Sequence, residues 1–273
     1  MRSRAFEQFL ALEREHWWFR GRRAVYLELL QGSLGGRRPR RVLDIGAGVG
    51  GFLPELGAVG QSVHFTEFDA EAFGAARARD VAQGVRARAE ALPFRDESYD
   101  LACLFDVVEH VADDARALGE VARVLRPGGR VVLSVPAHPW LFSRNDVVAG
   151  HVRRYTRDHL QALIRGAALE LVRCTYTNAL LFPVIAPTVL ASKLIEPFAP
   201  DSEHTNLSLR LPRWLNELCF RAFRAELALS RRWDLPLGHS LFAIARRTEV
   251  GASLVGPAPR RPREAALLQP TVV

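Results

Sequence analysis

The stretch RRVLDIGAGVGGF (Arg40 to Phe52) constrains the fold of this 273-residue chain more than any other segment. Its apolar run at 42–45 predicts a short, buried parallel strand. Four glycines follow within six residues, and such a turn lets a ligand approach the backbone closely because few Cβ atoms intervene. The next segment predicts a helix that ends near Gly57 or Gly60. A strand, a glycine-rich turn and a helix in this order indicate an α/β fold with a ligand site at the turn.

The glycine spacing alone does not decide which ligand binds. Gly46-x-Gly48-x-x-Gly51 also fits the fingerprint of dinucleotide-binding proteins. Glu67 lies about 20 residues after the turn, where an acid accepts hydrogen bonds from ribose hydroxyls. Asp44 separates the alternatives, because a carboxylate entering the turn suits a cationic ligand better than a pyrophosphate, which needs N–H donors. A nicotinamide-dependent oxidoreductase would therefore explain the glycines but not Asp44.

Further motifs follow in chain order. They are Leu92-Pro93-Phe94, Tyr99-Asp100, Asp106-Val107-Val108-Glu109-His110 and the stretch EVARVLRPGGRVVLSVP. Together with Asp44, the glycine turn and Glu67, they resemble class I S-adenosylmethionine-dependent methyltransferases, in particular the small-molecule branch that includes ubiquinone-biosynthesis O-methyltransferases. The resemblance covers roughly residues 40–175, with 240–247 as a last strand. It implies a Rossmann-like, doubly wound seven-stranded sheet with an antiparallel last strand, an N-terminal helical lid and an insertion between strands 6 and 7.

The resemblance also implies the cofactor, S-adenosyl-L-methionine, and its contacts. Asp44 and the glycine turn would hold the methionine end, Glu67 the ribose, and Phe68 the adenine. The implied cofactor-binding residues are Asp44, Gly46, Ala47, Gly48, Glu67, Phe68, Glu90, Ala91, Asp106 and His110. Arg88 stands where many relatives have an aspartate that contacts the adenine amino group, and arginine cannot accept a hydrogen bond. That contact must then come from the backbone or from Glu90.

Two histidines after the fifth predicted strand are the candidate catalytic residues. Methyl transfer is an in-line displacement that needs mainly proximity and alignment, but an acceptor oxygen or nitrogen must lose its proton, so a base with a pKa near ~7 helps. His151 and His138 fit this role, with Asp146 to orient the ring. Either histidine could instead be an ordinary loop residue, and an easily ionised acceptor needs no base. No metal site is predicted, since the three cysteines are far apart and form no CxxC pair.

The segment EREHWWFRGRR (Glu13 to Arg23) concentrates aromatic and basic residues ahead of the first strand. It predicts a helix from about Ala5 to Leu30 that acts as a lid and excludes water from the transfer site. Arg20 or Arg23 would pair with the cofactor's carboxylate or with an acidic acceptor, unless this face is simply solvated. The predicted substrate and lid residues are Trp17, Trp18, Arg20, Trp140 and Tyr155.

Some 62 residues separate the predicted sixth strand (Leu169 to Thr177) from the seventh (Ser240 to Arg247). Their first part is apolar, but Pro183 and Pro187 interrupt it, so a membrane span is not expected. Their second part predicts an amphipathic helix with an apolar stripe that contains Trp214 and Leu218. Packing of that stripe on the core is favoured over contact with an anionic membrane. The predicted domains are a lid and linker (1–36), a core (37–177 and 239–248), a helical substrate or lid insertion (178–238) and a disordered tail (249–273).

The net charge of +7 divides unevenly along the chain. Residues 42–150 carry a net charge of −6, while the segments before and after them carry net charges of +6 and +7. All but one of the basic residues are arginine, which indicates a biased genome composition, and no nucleic-acid-binding motif is present, so no nucleic acid is expected as a partner. Few cysteines and no apolar leader predict a cytoplasmic protein, peripheral at a membrane if the insertion binds lipid.

The resemblance thus implies a methyltransferase that acts on an oxygen of a small or lipophilic acceptor, in preference to a nitrogen or a carbon. Three alternatives stay open. The chain could be a non-catalytic S-adenosylmethionine-binding partner subunit or an NAD(P)-dependent oxidoreductase. The basic flanks also leave RNA methylation open, which would require binding that weakens steeply with salt.

Overall fold

The computed structural model describes residues 12–196 and 211–248. The first part of the predicted lid and the predicted tail, 249–273, lie outside these residues. The strands are β1 Arg41–Ile45, β2 Ser62–Glu67, β3 Gln83–Arg86, β4 Tyr99–Phe105, β5 Leu125–Pro136, β6 Leu169–Thr177 and β7 Ser240–Arg247. The helices are α1 Trp17–Leu34, α2 Leu53–Val59, α3 Ala70–Arg77, α4 Asp114–Val124, α5 Arg144–Ala149, α6 Arg157–Gly166, α7 Phe182–Ile195, α8 Arg213–Ala225 and α9 Leu227–Ser230.

The seven strands form one sheet in the order β3-β2-β1-β4-β5-β7-β6. β1 pairs in parallel with β2 and β4, while β7 runs antiparallel to both β5 and β6. The predicted sheet with an antiparallel last strand is confirmed. The strand order reverses between β1 and β4, and open α/β sheets bind ligands outside the carboxyl ends of the strands at such a point.

The central strands are buried on both faces, as their mainly apolar sequences predict. Successive side chains alternate between the two faces. On one face, Leu43 and Ile45 of β1 belong to the core cluster that includes α4 and α6. On the other face, Val42 packs in the cluster that includes α1, α2 and Phe223 of α8. Helices of the predicted lid and of the insertion therefore share one face of the sheet.

Several helix boundaries follow from local capping. Gly60 follows the last residue of α2, as predicted. Thr156 caps α6 by accepting a hydrogen bond from the His159 amide (3.1 Å), and Asp113 caps α4 by accepting one from the Arg116 amide (3.0 Å). At the other end of α4 the chain enters β5 at Leu125, five residues before the predicted start of that strand.

The prediction of one continuous N-terminal helix is wrong at Glu13–His16. His16 has extended backbone angles (φ −70°, ψ 133°), and its ring accepts a hydrogen bond from the Trp18 amide, so it begins a new helix instead of continuing one. The Glu13 carboxylate turns inward and pairs with Arg79, next to the glycine-rich loop. At its other end α1 runs on to Leu34, four residues beyond the predicted end, and stops at Gly35 in the left-handed conformation (φ 57°).

The orientation predicted for the second insertion helix is also wrong. α8 packs closely on α1, where a Cβ at Gly21 would overlap the Phe223 ring. The Asn216 side chain accepts a hydrogen bond from the Trp17 amide (2.8 Å). The helix therefore buries a stripe offset from the predicted one, and Trp214 and Leu218 are 69% and 56% exposed.

A buried carboxylate attaches the insertion to the end of β6. Glu226, between α8 and α9, accepts hydrogen bonds from the amides of Asn178 (2.8 Å) and Ala179 (2.7 Å). Its side chain is fully buried, and this burial raises its pKa to about 7 against the opposing effect of the amides. Among the residues that the structure describes, no helix is both long and apolar enough to cross a membrane.

The contact of α1 with α8 gives a matched test of packing. We expect Gly21→Ala to lower the free energy of unfolding by about 1–3 kcal/mol, because the added methyl group forces the Phe223 ring to move. Gly32→Ala in the same helix meets no atom within 4 Å, and should instead stabilise by up to about 1 kcal/mol through helix propensity. Urea denaturation of both variants measures the difference. Equal effects at the two positions would contradict close packing at Gly21.

Candidate active site

The loop after β1 has the geometry that its glycines predict. Gly46, Gly48 and Gly50 all have positive φ (68°, 56° and 81°), which side-chain-bearing residues adopt with strain. A Cβ at Gly46 would also lie 2.8 Å from the methyl groups of Val107. The loop amide of Ala47 donates to the Thr66 carbonyl (3.0 Å), which ties the loop to β2. The backbone of this loop is thus accessible to a ligand at the carboxyl end of β1.

Glu67, at the end of β2, supports this loop. One carboxylate oxygen accepts the Gly48 amide (2.8 Å), and the other accepts the amides of Phe68 (2.7 Å) and Asp69 (2.8 Å). A carboxylate has about four acceptor positions, so three amides leave one for a ligand hydroxyl. The oxygen bonded to Gly48 keeps that free position. Glu67 therefore serves both to orient the loop and to accept one further donor.

Asp44 is the most perturbed acid beside the loop. Its side chain is almost wholly buried, and this burial raises its pKa to about 8. The nearby Glu67 carboxylate raises the pKa further, and the Arg22 guanidinium opposes it. Two carboxylates at one strand edge are electrostatically unfavourable together unless a positive group lies between them. The pair therefore favours a cationic ligand, as the position of Asp44 predicts.

Arg88, which stands where many relatives have an aspartate, contacts Phe68 on the side of the site where adenine is predicted to bind. Phe68 is 51% exposed, and the Arg88 guanidinium carbon lies 3.8 Å from its ring centroid, a cation–π contact. The Glu90 carbonyl accepts a hydrogen bond from Arg116 (3.0 Å), and the Ala91 amide donates to the Arg88 carbonyl (3.1 Å). A planar ligand can use the other face of the Phe68 ring or displace Arg88.

Asp106 connects the sheet to the N-terminal helix. It follows β4 with positive φ (58°), a strained conformation for a residue other than glycine. One carboxylate oxygen accepts the Ser134 hydroxyl (2.8 Å), and the other pairs with Arg22 of α1. Trp18 stacks on the Arg22 guanidinium (4.4 Å from the carbon to the ring centroid). The Arg22 guanidinium therefore contacts both the Trp18 ring and the Asp106 carboxylate, and it connects Trp18 to the end of β4.

Arg22 is the arginine that reaches the candidate site, and the sequence analysis missed it. Arg20 and Arg23 were the arginines predicted to face the site. Arg20 instead pairs with Glu217 of α8 (3.0 Å), and Arg23 lies near the carboxylates of Glu13 and Glu55. The signal was present in the sequence, because Trp18 and Arg22 are four residues apart and share one side of a helix.

Three predicted substrate or lid residues lie elsewhere. Trp17 packs edge-on against Phe223 (6.3 Å between centroids), so with Arg20 it belongs to the contact between α1 and α8. Tyr155 is fully buried in the core, and its hydroxyl donates to the Asp114 carboxylate (2.9 Å). Packing between elements, which the sequence does not show, takes up these three side chains, and their roles at the substrate site stay predictions.

His151 and Asp146 form a hydrogen-bonded pair beside His110. The Nδ1 atom of His151 donates to the Asp146 carboxylate (2.7 Å), and the ring lies edge-on to that of His110 (4.8 Å between centroids). Asp146 is fully buried and also accepts from Arg154 (2.8 Å). Burial alone would raise the pKa of Asp146, but these hydrogen bonds lower it to about 2. A permanently charged Asp146 thus fixes the ring of His151 and leaves its Nε2 atom available.

His138 and Trp140 lie in a separate aromatic group. His138 donates from Nε2 to the Gly238 carbonyl (2.9 Å), and its ring stacks on Tyr176 (5.2 Å). Burial lowers its pKa, which makes it a weaker base. Trp140 is 48% exposed beside His138 and Phe182. This group borders the start of α7.

Comparisons with known proteins agree with this geometry. Residues 43–133 match a family model described as a methyltransferase domain. A Mycolicibacterium smegmatis protein described as a probable S-adenosylmethionine-dependent methyltransferase is 31% identical over 166 residues, 59% of this chain and 62% of that protein. A ubiquinone biosynthesis O-methyltransferase of Aeromonas salmonicida is 35% identical over 118 residues, 40% of this chain and 49% of that protein. A solved geranyl diphosphate methyltransferase in complex with S-adenosylmethionine has a TM-score of 0.55 at 17% identity, covering 82% of this chain and 85% of that one.

The fold, the site and these matches define the class. The chain contains a class I S-adenosylmethionine-dependent methyltransferase domain, so the predicted class and cofactor are confirmed. Asp44, the glycine loop and Glu67 fit that cofactor, because a sulfonium and an ammonium group supply the positive charge that the two carboxylates lack. The chain spans 62% and 60% of the length of the first two curated relatives that it matches.

The raised pKa of Asp44 predicts a stability cost in the cofactor-free protein. The folded-state pKa, about 8, lies above the ordinary value of 3.8. The carboxylate therefore destabilises the fold progressively as the pH rises from about 4 to 8. We expect Asp44→Asn to raise the free energy of unfolding by a few kcal/mol at pH 8 and hardly at all near pH 4.

Denaturation at several pH values measures this effect. Asp158→Asn, at an exposed position of α6, is the control and should show only a small, pH-independent change. An Asp44→Asn protein that is less stable than the wild type at pH 8 would contradict the electrostatic account.

Proposed function

We propose that the protein transfers the methyl group of S-adenosylmethionine to an oxygen of a small or lipophilic acceptor. The observation that carries this proposal is the pair of carboxylates, Asp44 and Glu67, on either side of a backbone loop held open by positive-φ glycines. A dinucleotide pyrophosphate would disfavour the ionised form of Asp44 further, whereas a cationic ligand would stabilise it. The cofactor supplies an activated methyl group, and the chain supplies alignment and exclusion of water.

The ion pair of Arg22 with Asp106 supports a role for α1 as a lid. It joins α1 to the end of β4, next to the strand ends that carry the cofactor-binding residues. Trp18 lies over the Arg22 guanidinium and shields this pair from water. We infer that residues 1–36 act as the lid of the core (37–177 and 239–248), and that 178–238 shape the acceptor side.

His151 is our candidate for the group that accepts the acceptor's proton. Asp146 holds the ring through Nδ1, so the free Nε2 atom is the basic nitrogen. His138 is the second candidate, although its Nε2 atom is bonded to a carbonyl. An oxygen acceptor is favoured by the similarity to the ubiquinone biosynthesis O-methyltransferase of Aeromonas salmonicida.

The cofactor site is tested by calorimetric titration with S-adenosylhomocysteine. We expect Asp44→Ala and Glu67→Ala to weaken binding at least about 10-fold, since each removes a charged contact worth about 1.5–3 kcal/mol. Val172→Ala, at an exposed position of β6, is the control and should bind as the wild type does. Unchanged affinity in both acidic variants would refute the assignment of the site.

Catalysis is tested by methyl transfer from labelled cofactor to a panel of phenols, quinols and aliphatic alcohols. We expect His151→Ala to lower turnover at saturating acceptor about 10²–10⁴-fold, the usual contribution of a general base. His159→Ala, an exposed histidine of α6, should have no effect. Cofactor binding without transfer to any acceptor would favour a non-catalytic partner subunit.

We further propose that the insertion attaches the protein peripherally to the cytoplasmic face of an anionic membrane. Its exposed apolar side chains share a surface with exposed arginines, the pattern of helices that lie on such membranes. The apolar members are Trp214, Leu218, Leu229 and Trp233. The basic members are Arg213, Arg221, Arg224, Arg231 and Arg232. A lipophilic acceptor would be reached from this position.

Vesicle co-sedimentation tests the membrane contact. We expect the protein to bind phosphatidylcholine vesicles that contain 30–50% phosphatidylglycerol, roughly the anionic content that attracts basic segments, and to bind pure phosphatidylcholine weakly. The double variant Trp214→Ser/Leu218→Ser should lose most of this binding, whereas Val85→Ser, at an exposed position of β3 on the opposite edge of the sheet from β6, should retain it. Equal sedimentation of both variants would refute the proposal.

A further inference from the structure

Glu109 is a buried acid whose carboxylate forms no hydrogen bond with the described residues. It lies in the short 3₁₀ turn Val108–His110 after β4, and its side chain is fully buried. Neither carboxylate oxygen has a hydrogen-bond partner among the described residues. Buried carboxylates are normally hydrogen-bonded, paired with a positive group or coordinated to a metal ion, because an isolated one is costly.

Two histidines with oriented rings lie next to this carboxylate. His110 bonds through Nδ1 to the Gly150 carbonyl (3.1 Å), and His151 bonds through Nδ1 to Asp146 (2.7 Å). Because a carbonyl and a carboxylate only accept, both Nδ1 atoms carry the proton and both Nε2 atoms hold a free lone pair. Glu109, His110 and His151 each offer a ligand atom, and these atoms lie within 4.8 Å of one another.

We propose that Glu109, His110 and His151 bind a divalent transition-metal ion, with Zn²⁺ as the best fit. Two imidazoles and one carboxylate form a donor set of catalytic zinc sites, which leave one coordination position open. Mg²⁺ fits poorly, because it prefers oxygen ligands in an octahedron. Zinc–ligand bonds of about 2.0–2.2 Å place ligand atoms about 3.3–3.6 Å apart. The ligand atoms lie within 4.8 Å of one another, so the widest separation would shorten by about 1.2–1.5 Å on binding.

The surroundings of the three ligands match those of metal sites. Metal-binding histidines almost always donate their second ring N–H to a carboxylate or a backbone carbonyl, which fixes the ring and its tautomer. Asp146 and the Gly150 carbonyl provide these two partners. His110 is exposed and His151 is half-buried, so an ion can reach the site from solvent.

The proposal goes beyond the methyltransferase function and does not depend on it. Metal binding and proton acceptance would use the same Nε2 atom of His151, so they are alternative roles of that nitrogen. In the metal-loaded protein the ion would lower the pKa of an acceptor hydroxyl bound at its open position. In the metal-free protein His151 itself would accept the proton.

The experiment uses the full chain after treatment with EDTA and dialysis. We expect calorimetric titration with Zn²⁺ to show one site, and Co²⁺ to give the visible absorption of a four- or five-coordinate ion. His110→Ala and His151→Ala should each weaken Zn²⁺ binding at least 100-fold. Glu109→Gln should do the same while circular dichroism shows an unchanged fold, and Asp146→Asn should weaken binding about 10–100-fold by releasing the His151 ring.

Matched controls separate this site from adventitious binding. His159→Ala and His138→Ala remove histidines outside the cluster and should leave Zn²⁺ affinity unchanged. Loss of binding in these controls, or full binding in His110→Ala and His151→Ala, would overturn the proposal, as would a wild-type protein that binds no Zn²⁺ or Co²⁺. S-adenosylhomocysteine binding, measured in the same samples, reports the methyltransferase site separately.

Discussion

The buried carboxylate of Asp44 is the constraint on which the cofactor site depends. It stands at the end of the central strand, where burial and Glu67 raise its pKa to about 8. A charge in this position is tolerated only if a positive ligand or side chain neutralises it. Arg22 supplies part of that charge in the cofactor-free protein. The glycine loop then gives a cationic ligand access to the strand end, and the hydrogen bond from the Gly48 amide to Glu67 ties that loop to β2.

The N-terminal helix and the insertion are coupled to the site through α1. One side of α1 carries Arg22, which pairs with Asp106 at the end of β4. Another side carries Gly21, which allows Phe223 of α8 to approach closely. Movement of α8 would therefore be transmitted to Arg22 through one rigid helix. If the insertion attaches to a membrane as proposed, this contact links the attached helices to α1.

The sequence predicted the parts of the site that lie within one strand–loop–helix unit. Asp44, the glycine loop and Glu67 are separated by short, regular elements, so their spacing along the chain fixes their spacing in the fold. The aromatic and basic cluster of residues 13–23 was harder, because which of its four arginines faces the site depends on a helix break at His16. Trp17 and Tyr155 were predicted to lie at the substrate site, yet Trp17 packs against Phe223 of α8 and Tyr155 is buried in the core.

The sequence by itself determined the class of fold and the cofactor, and it predicted the strand ends that we propose bind that cofactor, because the spacing of apolar residues and of glycines reflects local structure. Only the tertiary structure decided that α8 turns Trp214 outward, that Arg22 reaches Asp106, and that Glu109, His110 and His151 meet around one point. Each of these depends on how far a helix rotates against a neighbour or on contacts between residues about 40 or more positions apart. Such contacts are set by the packing of whole elements, which the spacing of residues along the chain does not encode.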